Sequence, residues 1–68
     1  MFIITAKDDY NVETRFSIGC VEPAKMLAHA LEANGYVVRF AEGEIPMRDA
    51  DEVERAQVIM QTILSVAL

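Results

Sequence analysis

Alternating apolar and polar positions at the start of the chain predict a β-hairpin. Residues 2–7 and 12–18 are rich in β-branched and aromatic side chains, and the polar stretch 8–11 separates them. In the second run, the period-two alternation indicates a strand with one buried face. The buried side of that strand is predicted to comprise Val12, Thr14, Phe16 and Ile18.

A helix and a third strand are predicted to follow the hairpin. Pro23 suits the first turn of a helix, and residues 24–33 are almost all strong helix formers before the stop signal Asn34-Gly35. Residues 36–41 then return to strand-like alternation. The inward side of this strand is predicted to comprise Tyr36, Val38 and Phe40.

A second helix is predicted to follow the third strand and to run almost to the end of the sequence. Asp49 and Glu52 have the spacing of a capping box, so the helix should begin at Asp49 or Ala50. At 100° per residue, one apolar stripe should face the sheet. This stripe comprises Val53, Ala56, Met60, Ile63, Leu64 and Ala67.

The element order β-β-α-β-α predicts a single small α+β domain over residues 1–68. We expect a two-layer sandwich in which a three-stranded, antiparallel or mixed sheet of order 2-1-3 carries both helices on one face. Its core is predicted to contain Phe16, Leu27, Leu31, Val38, Phe40, Met60 and Leu64, together with Phe2, Ile4, Val12 and Ile18 beneath the helices.

Composition and charge limit the classes of function. The chain has 68 residues, of which 53% are hydrophobic and 25% charged, as expected for a folded domain. The net charge of −5 disfavours direct nucleic-acid binding, which needs a basic surface. A single cysteine, no signal-peptide pattern and no apolar run of about 20 residues predict a cytoplasmic protein without a membrane segment.

The residue types that usually carry catalysis are isolated in this sequence. His29 falls on the outward face of the first predicted helix, and Cys20 at a strand-to-helix junction has no neighbouring histidine. The glycines are scattered, and the carboxylates do not follow a calcium-loop pattern. We therefore predict that the protein is not an enzyme and uses no cofactor or metal.

Acidic residues cluster where the second helix begins. Acids in a first helical turn are stabilised by the helix dipole, so capping and solubility alone can explain part of the cluster. Glu42 and Glu44 precede the helix and are less well explained in that way. We predict that the partner-binding residues are Glu42, Glu44, Asp51 and Glu54, and that the partner is a protein with a basic surface.

The apolar arc of the second helix is wider than one contact with a sheet requires. Ile59 and Val66 lie at the flank of the predicted stripe, where either the first helix or a second chain can cover them. We predict an oligomer interface, in a homodimer, formed by Ile59, Ile63 and Val66. Packing within one chain is the alternative.

In size, charge and element order, the chain resembles accessory proteins of bacteriophages and other mobile elements, some of which inhibit host or defence enzymes by direct binding. The resemblance assigns no role to any individual residue. Together with the acidic cluster it predicts a non-enzymatic protein interaction module, such as an inhibitor that presents acids to the basic site of a nucleic-acid-processing protein. The alternative is an assembly subunit whose C-terminal helix forms a permanent oligomer interface.

Overall fold

Three strands and two helices form the fold in the predicted order. The computed structural model describes residues 1–45 and 47–67, of which residues 65–67 are described by their backbone alone. The elements are β1 (Phe2–Lys7), β2 (Glu13–Ile18), α1 (Val21–Ala33), β3 (Val37–Glu42) and α2 (Ala50–Ala67). The sheet order is β2-β1-β3, and both outer strands run antiparallel to β1. The predicted α+β sandwich with both helices on one face is confirmed.

Local turn chemistry explains where the strands and α1 end. In the hairpin turn, the Asp8 carboxylate accepts hydrogen bonds from the backbone N–H groups of Tyr10 and Val12, and Asn11 takes a left-handed φ of 63°. At the end of α1, Gly35 has a φ of 90°, and the N–H of Tyr36 donates to the carbonyl of Leu31. This Schellman arrangement directs the chain into β3.

The core lies between the helices and the even-numbered face of the sheet. The predictions for Phe16, Leu27 and Leu31 are confirmed, since all three are buried, whereas Val38 and Met60 are only partly buried. The buried apolar residues are Ile4, Ala6, Phe16, Ala24, Leu27, Ala28, Leu31, Ala56 and Ile63. The core thus lies mainly on α1 and β1, with further residues from α2 and β2.

Two predicted core residues on the sheet are exposed instead. Phe40 keeps 43% of its surface exposed because β3 is an edge strand, with no further strand to cover its outer side. Val12 is exposed because it precedes β2 and belongs to the hairpin turn. The alternation in the sequence identified the correct face of the sheet but not the depth of burial on the edge strand or in the hairpin turn.

The apolar stripe of α2 is rotated by roughly 50° from the predicted one, given 100° per residue. Leu64 is 58% exposed and Val53 is also exposed, so their predicted contacts with the sheet are wrong. Ile59 instead packs against the core, beside the buried Ile63. The rotation places Glu52 inward, where it binds β2.

Candidate functional site

The structure divides the four predicted partner-binding acids into two pairs, all of them exposed. Glu42 lies opposite Phe2 at one end of the sheet, and Glu44 follows it closely. Asp51 and Glu54 lie on α2 near Asp8, which follows the other end of β1. Strands of this length, at about 3.3 Å per residue, separate the two pairs by roughly 15 Å. The four acids therefore do not form one patch.

Asp51 and Glu54 line an open groove of about 430 Å³, here called the Tyr36 groove. Its residues are Asp8, Tyr36, Asp51, Glu54, Arg55, Val58 and Ile59. Tyr36 and Ile59 are half-buried and form the apolar base, while Val58 is 56% exposed. Three carboxylates and one guanidinium surround this base, which gives the groove a negative charge.

The two turns described above position one side of the groove. The backbone N–H groups that bind the Asp8 carboxylate hold it at the end of the hairpin, and the Schellman arrangement fixes Tyr36 directly after α1. Both residues are therefore set by short local hydrogen bonds rather than by loop contacts with α2. Such preorganisation lowers the entropy lost on binding.

Two smaller depressions continue the groove on either side of Tyr36. One of them runs along α2 and is lined by Asn34, Tyr36, Val58, Ile59, Thr62 and Ile63. The other reaches the hairpin turn and is lined by Asp8, Asp9, Tyr10, Asn34, Gly35 and Tyr36. Tyr10 is almost fully exposed there. Aromatic, aliphatic and acidic groups thus form one continuous surface at this end of the fold.

Sequence reasoning did not identify Asp8 and Tyr36 as site residues. Asp8 was accounted for by the turn, and Tyr36 by the alternation of the third strand. The signal available in the sequence was the presence of a second aromatic residue, Tyr10, in an acidic turn. Only the arrangement of α2 across the sheet brings these residues beside Asp51 and Glu54.

Glu52 has a different role from the other acids of the cluster. It is only 6% exposed, and its carboxylate accepts hydrogen bonds from the backbone N–H of Arg15 (3.0 Å), from Nε (2.9 Å) and from Nη2 (2.8 Å). The guanidinium of Arg15 lowers the pKa of Glu52, and the same hydrogen bond raises the pKa of Arg15. The inferred capping interaction is half confirmed, because Asp49 accepts from the Glu52 N–H at 2.7 Å while the Glu52 side chain turns to β2.

The burial of Glu52 has a signal in the sequence. Glu52, Ala56, Ile59 and Ile63 recur at the spacing of one helical face. An acid within such an apolar face requires a cationic partner, because burial of an unpaired charge is costly. Arg15 supplies that charge in the structure.

Side chains around the start of α2 occupy the outer edge of β2. Arg48 Nη1 donates to the carbonyl of Arg15 at 2.7 Å, and Arg55 Nη2 donates to the carbonyl of Glu13 at 3.2 Å. With Glu52, these residues bind three outward-facing backbone groups of β2, an arrangement here called the β2 clamp. It satisfies hydrogen-bonding groups that an edge strand otherwise leaves open.

The residues considered for catalysis are not brought together. His29 is exposed on α1, and Cys20 is a free, exposed thiol at the N-cap of α1. Within the described ranges, no three side chains of the types that bind metals are grouped so as to hold an ion. A search of those same ranges also finds no helix with the length and hydrophobicity to span a bilayer.

The predicted oligomer-interface residues have three different environments. Ile59 is half-buried and lines the Tyr36 groove, and Ile63 is buried within the core of its own chain. The side chain of Val66 lies outside the described residues. An interface formed by these residues stays a prediction, with Ile63 offering little surface to a second chain.

Comparison with protein-family models, with curated proteins and with solved structures finds no match for this chain. A functional hypothesis therefore has to come from the chemistry of its own surface.

Proposed function

We propose that this chain is a non-enzymatic protein interaction module that binds a basic segment of another protein in the Tyr36 groove. The observation that carries the proposal is the combination, within one preorganised groove, of an apolar base with Asp8, Asp51 and Glu54. Lysine or arginine side chains of a partner would meet the carboxylates, and adjacent apolar side chains would cover Tyr36 and Ile59.

The charge within the groove favours a cationic partner. Among the described residues, Arg55 is the one cation that lines the groove, and its guanidinium already donates to Thr14 Oγ1 and to the carbonyl of Glu13. Asp51 and Glu54 are exposed, so they are available to another molecule. The net charge of −5 adds long-range attraction for a basic surface.

An inhibitor of a nucleic-acid-processing protein is a concrete form of this function. The acids of the groove would occupy basic positions on the partner that otherwise meet phosphate groups. Such an inhibitor would act in the cytoplasm, where the free thiol of Cys20 is stable. Glu42 and Glu44, at the far end of the sheet, would contribute only to a partner large enough to span both ends.

A second candidate function is an assembly subunit that associates through α2. It is favoured by the exposure of Val53 and Leu64, which lie on one flank of that helix. In this case, the acids would serve capping and solubility, and their neutralisation would leave association intact. The two functions therefore differ in their dependence on charge.

The groove can be tested by titrating the isotopically labelled protein with an octapeptide in which Arg and Leu alternate. We expect amide shifts centred on Tyr36, Val58 and Ile59, and weaker binding as salt screens the charges. Asp51→Asn with Glu54→Gln should weaken binding about tenfold, because it removes two of the three carboxylates. A peptide with Gln in place of Arg should bind poorly.

The matched control is Glu42→Gln with Glu44→Gln, which also changes the net charge from −5 to −3 (−5 + 2). Equal weakening by both double variants would show a nonspecific effect of net charge. Shifts confined to Glu42 and Glu44 would locate the acidic site at the other end of the sheet. Either result, or no binding, would contradict the proposed groove.

A further inference from the structure

The clamp on β2 indicates which residues of β3 direct their backbone N–H and C=O groups to the outer edge of the sheet. In an antiparallel sheet, the N–H and C=O of one residue point to the same side, and successive residues alternate. Arg15 directs both groups outward, where Glu52 and Arg48 bind them, so its partner Thr5 directs both toward β3. The N–H of Gly43, which donates to Met1 O, agrees with this alternation. Val38, Phe40 and Glu42 therefore direct their backbone groups to the free edge.

These edge groups have no counterpart of the β2 clamp. Among the residues that the structure describes, no side chain donates to or accepts from the backbone of Val38, Phe40 or Glu42. The strand also lacks proline and lysine, which commonly protect edge strands, and Val37 is 68% exposed. β3 is thus a template for pairing with another strand.

We propose that β3 pairs antiparallel with β3 of a second copy of this chain, with Phe40 on the two-fold axis. The two sheets would join into one six-stranded sheet. Outward-facing residues must lie opposite one another, so only registers centred on single residues are allowed. In the proposed register Phe40 faces its own copy, Val38 faces Glu42, and Arg39 faces Ala41.

The side chains of β3 select this register over its neighbours. Centring the pair on Arg39 sets two guanidinium groups against each other, and like charges directly opposite are destabilising. Centring it on Ala41 sets Phe40 against the carboxylate of Glu42. Of these three registers, only the one centred on Phe40 avoids both the Arg39–Arg39 and the Phe40–Glu42 pairings, and it sets the exposed Phe40 ring against its own copy.

The aromatic residues at the same end of the sheet support a second copy as the occupant. The rings of Phe2 and Phe40 are 5.7 Å apart at a tilt of 38°, yet Phe40 remains 43% exposed. Across the two-fold axis, two such pairs would meet as a cluster of four rings that covers the exposed area. The proposed pair does not use the acids of the Tyr36 groove on α2, because Asp51 and Glu54 lie on the helix that packs on β2 at the opposite edge.

The register can be tested with cysteine variants in a Cys20→Ser background. In the proposed pair, Arg39 and Ala41 of opposite chains lie about 4.5 Å apart between Cα atoms, a distance that a disulfide can bridge. An equimolar mixture of Arg39→Cys and Ala41→Cys proteins, oxidised with glutathione, should yield a covalent dimer of twice the 7.6 kDa chain mass. Each variant alone should yield at least fivefold less dimer, because neither position faces itself.

Two controls keep the proposal falsifiable. Val58→Cys places an exposed thiol on α2, and equal dimer from that variant would mean random collision or a different interface. More dimer from Arg39→Cys alone would overturn the Phe40 register. Sedimentation equilibrium of the unaltered protein provides the second measurement, and a mass that stays at 7.6 kDa up to millimolar concentration would overturn pairing itself.

Discussion

β2 and β3 are both edge strands of six residues, but their free edges differ. On β2, Glu52, Arg48 and Arg55 bind three outward-facing backbone groups, and five of the six residues are buried or partly buried. On β3, no side chain in the described part of the chain binds the corresponding groups, and five of the six residues are exposed. One sheet therefore has a closed edge and an open edge.

This difference shows that, in so small a domain, the protection of an edge strand depends on which strand a helix covers. α1 covers β1 and part of β3, whereas the start of α2 lies along β2. The charged residues near the start of α2 have two roles. They bind the outer edge of the sheet, and they fix the rotation of α2. A third helix would be needed to close β3 in the same way.

The largest expected effect comes from truncating the same residue type on each edge strand. Phe16→Ala should cost about 3–5 kcal/mol, because Phe16 is buried beneath the helices. Phe40→Ala should cost only about 1 kcal/mol in the monomer, because much of that ring is already exposed. Thermal unfolding followed by circular dichroism, at micromolar concentration, measures both.

A domain of this size has only roughly 3–5 kcal/mol of net stability. We therefore expect Phe16→Ala to be largely unfolded at 25 °C and Phe40→Ala to melt cooperatively. Unfolding of both variants to the same extent would mean that β3 is as deeply packed as β2, and the contrast between the edges would fail.

An intermediate effect is expected from opening the clamp at Glu52. Glu52→Gln should lower the unfolding free energy at pH 7 by about 1–2 kcal/mol, because Arg15 loses a charged acceptor. Glu54→Gln is the matched control, with the same chemical change on an exposed residue of α2. Urea denaturation of the three proteins measures the difference.

The effect of Glu52 should also depend on pH. Its pKa in the folded protein is lowered below the ordinary value of 4.5, so its stabilisation is present above that value. As the pH falls through the lowered pKa, the carboxylate is protonated in both states, and the advantage over Glu52→Gln should disappear. A difference that stays constant from pH 7 to pH 3 would contradict a charged clamp.

The smallest effects should come from one arginine at each edge. Arg48→Ala leaves the carbonyl of Arg15 without its donor and should cost about 1 kcal/mol. Arg39→Ala removes only a 3.9 Å ion pair with Glu13, whose side chains are 77% and 50% exposed, and should change stability by less than about 0.5 kcal/mol. Chemical denaturation measures the loss of unfolding free energy in each variant. A larger loss for Arg39→Ala than for Arg48→Ala would show that the clamp adds nothing to stability.

The sequence by itself determined the elements, their order and the sheet topology. Runs of β-branched and aromatic residues over 2–7 and 12–18 predicted the hairpin, whose second strand begins at Glu13. Asn34-Gly35 ended α1, and Asp49 marked the start of α2. The limits of these elements depend on neighbours within a few positions, so local patterns are sufficient to predict them. The sheet order follows from the rules for connecting successive strands.

Only the tertiary structure decided the depth of burial and the composition of the candidate site. Phe40 and Leu64 are apolar at the expected periodicity, yet the edge position of one and the rotation of α2 leave both exposed. The acids between residues 42 and 54 are close in sequence, but a strand, a loop and a helix distribute them among the far end of the sheet, the clamp and the Tyr36 groove. Pairing of Glu52 with Arg15 joins residues 37 positions apart, and no local pattern encodes a contact of that separation.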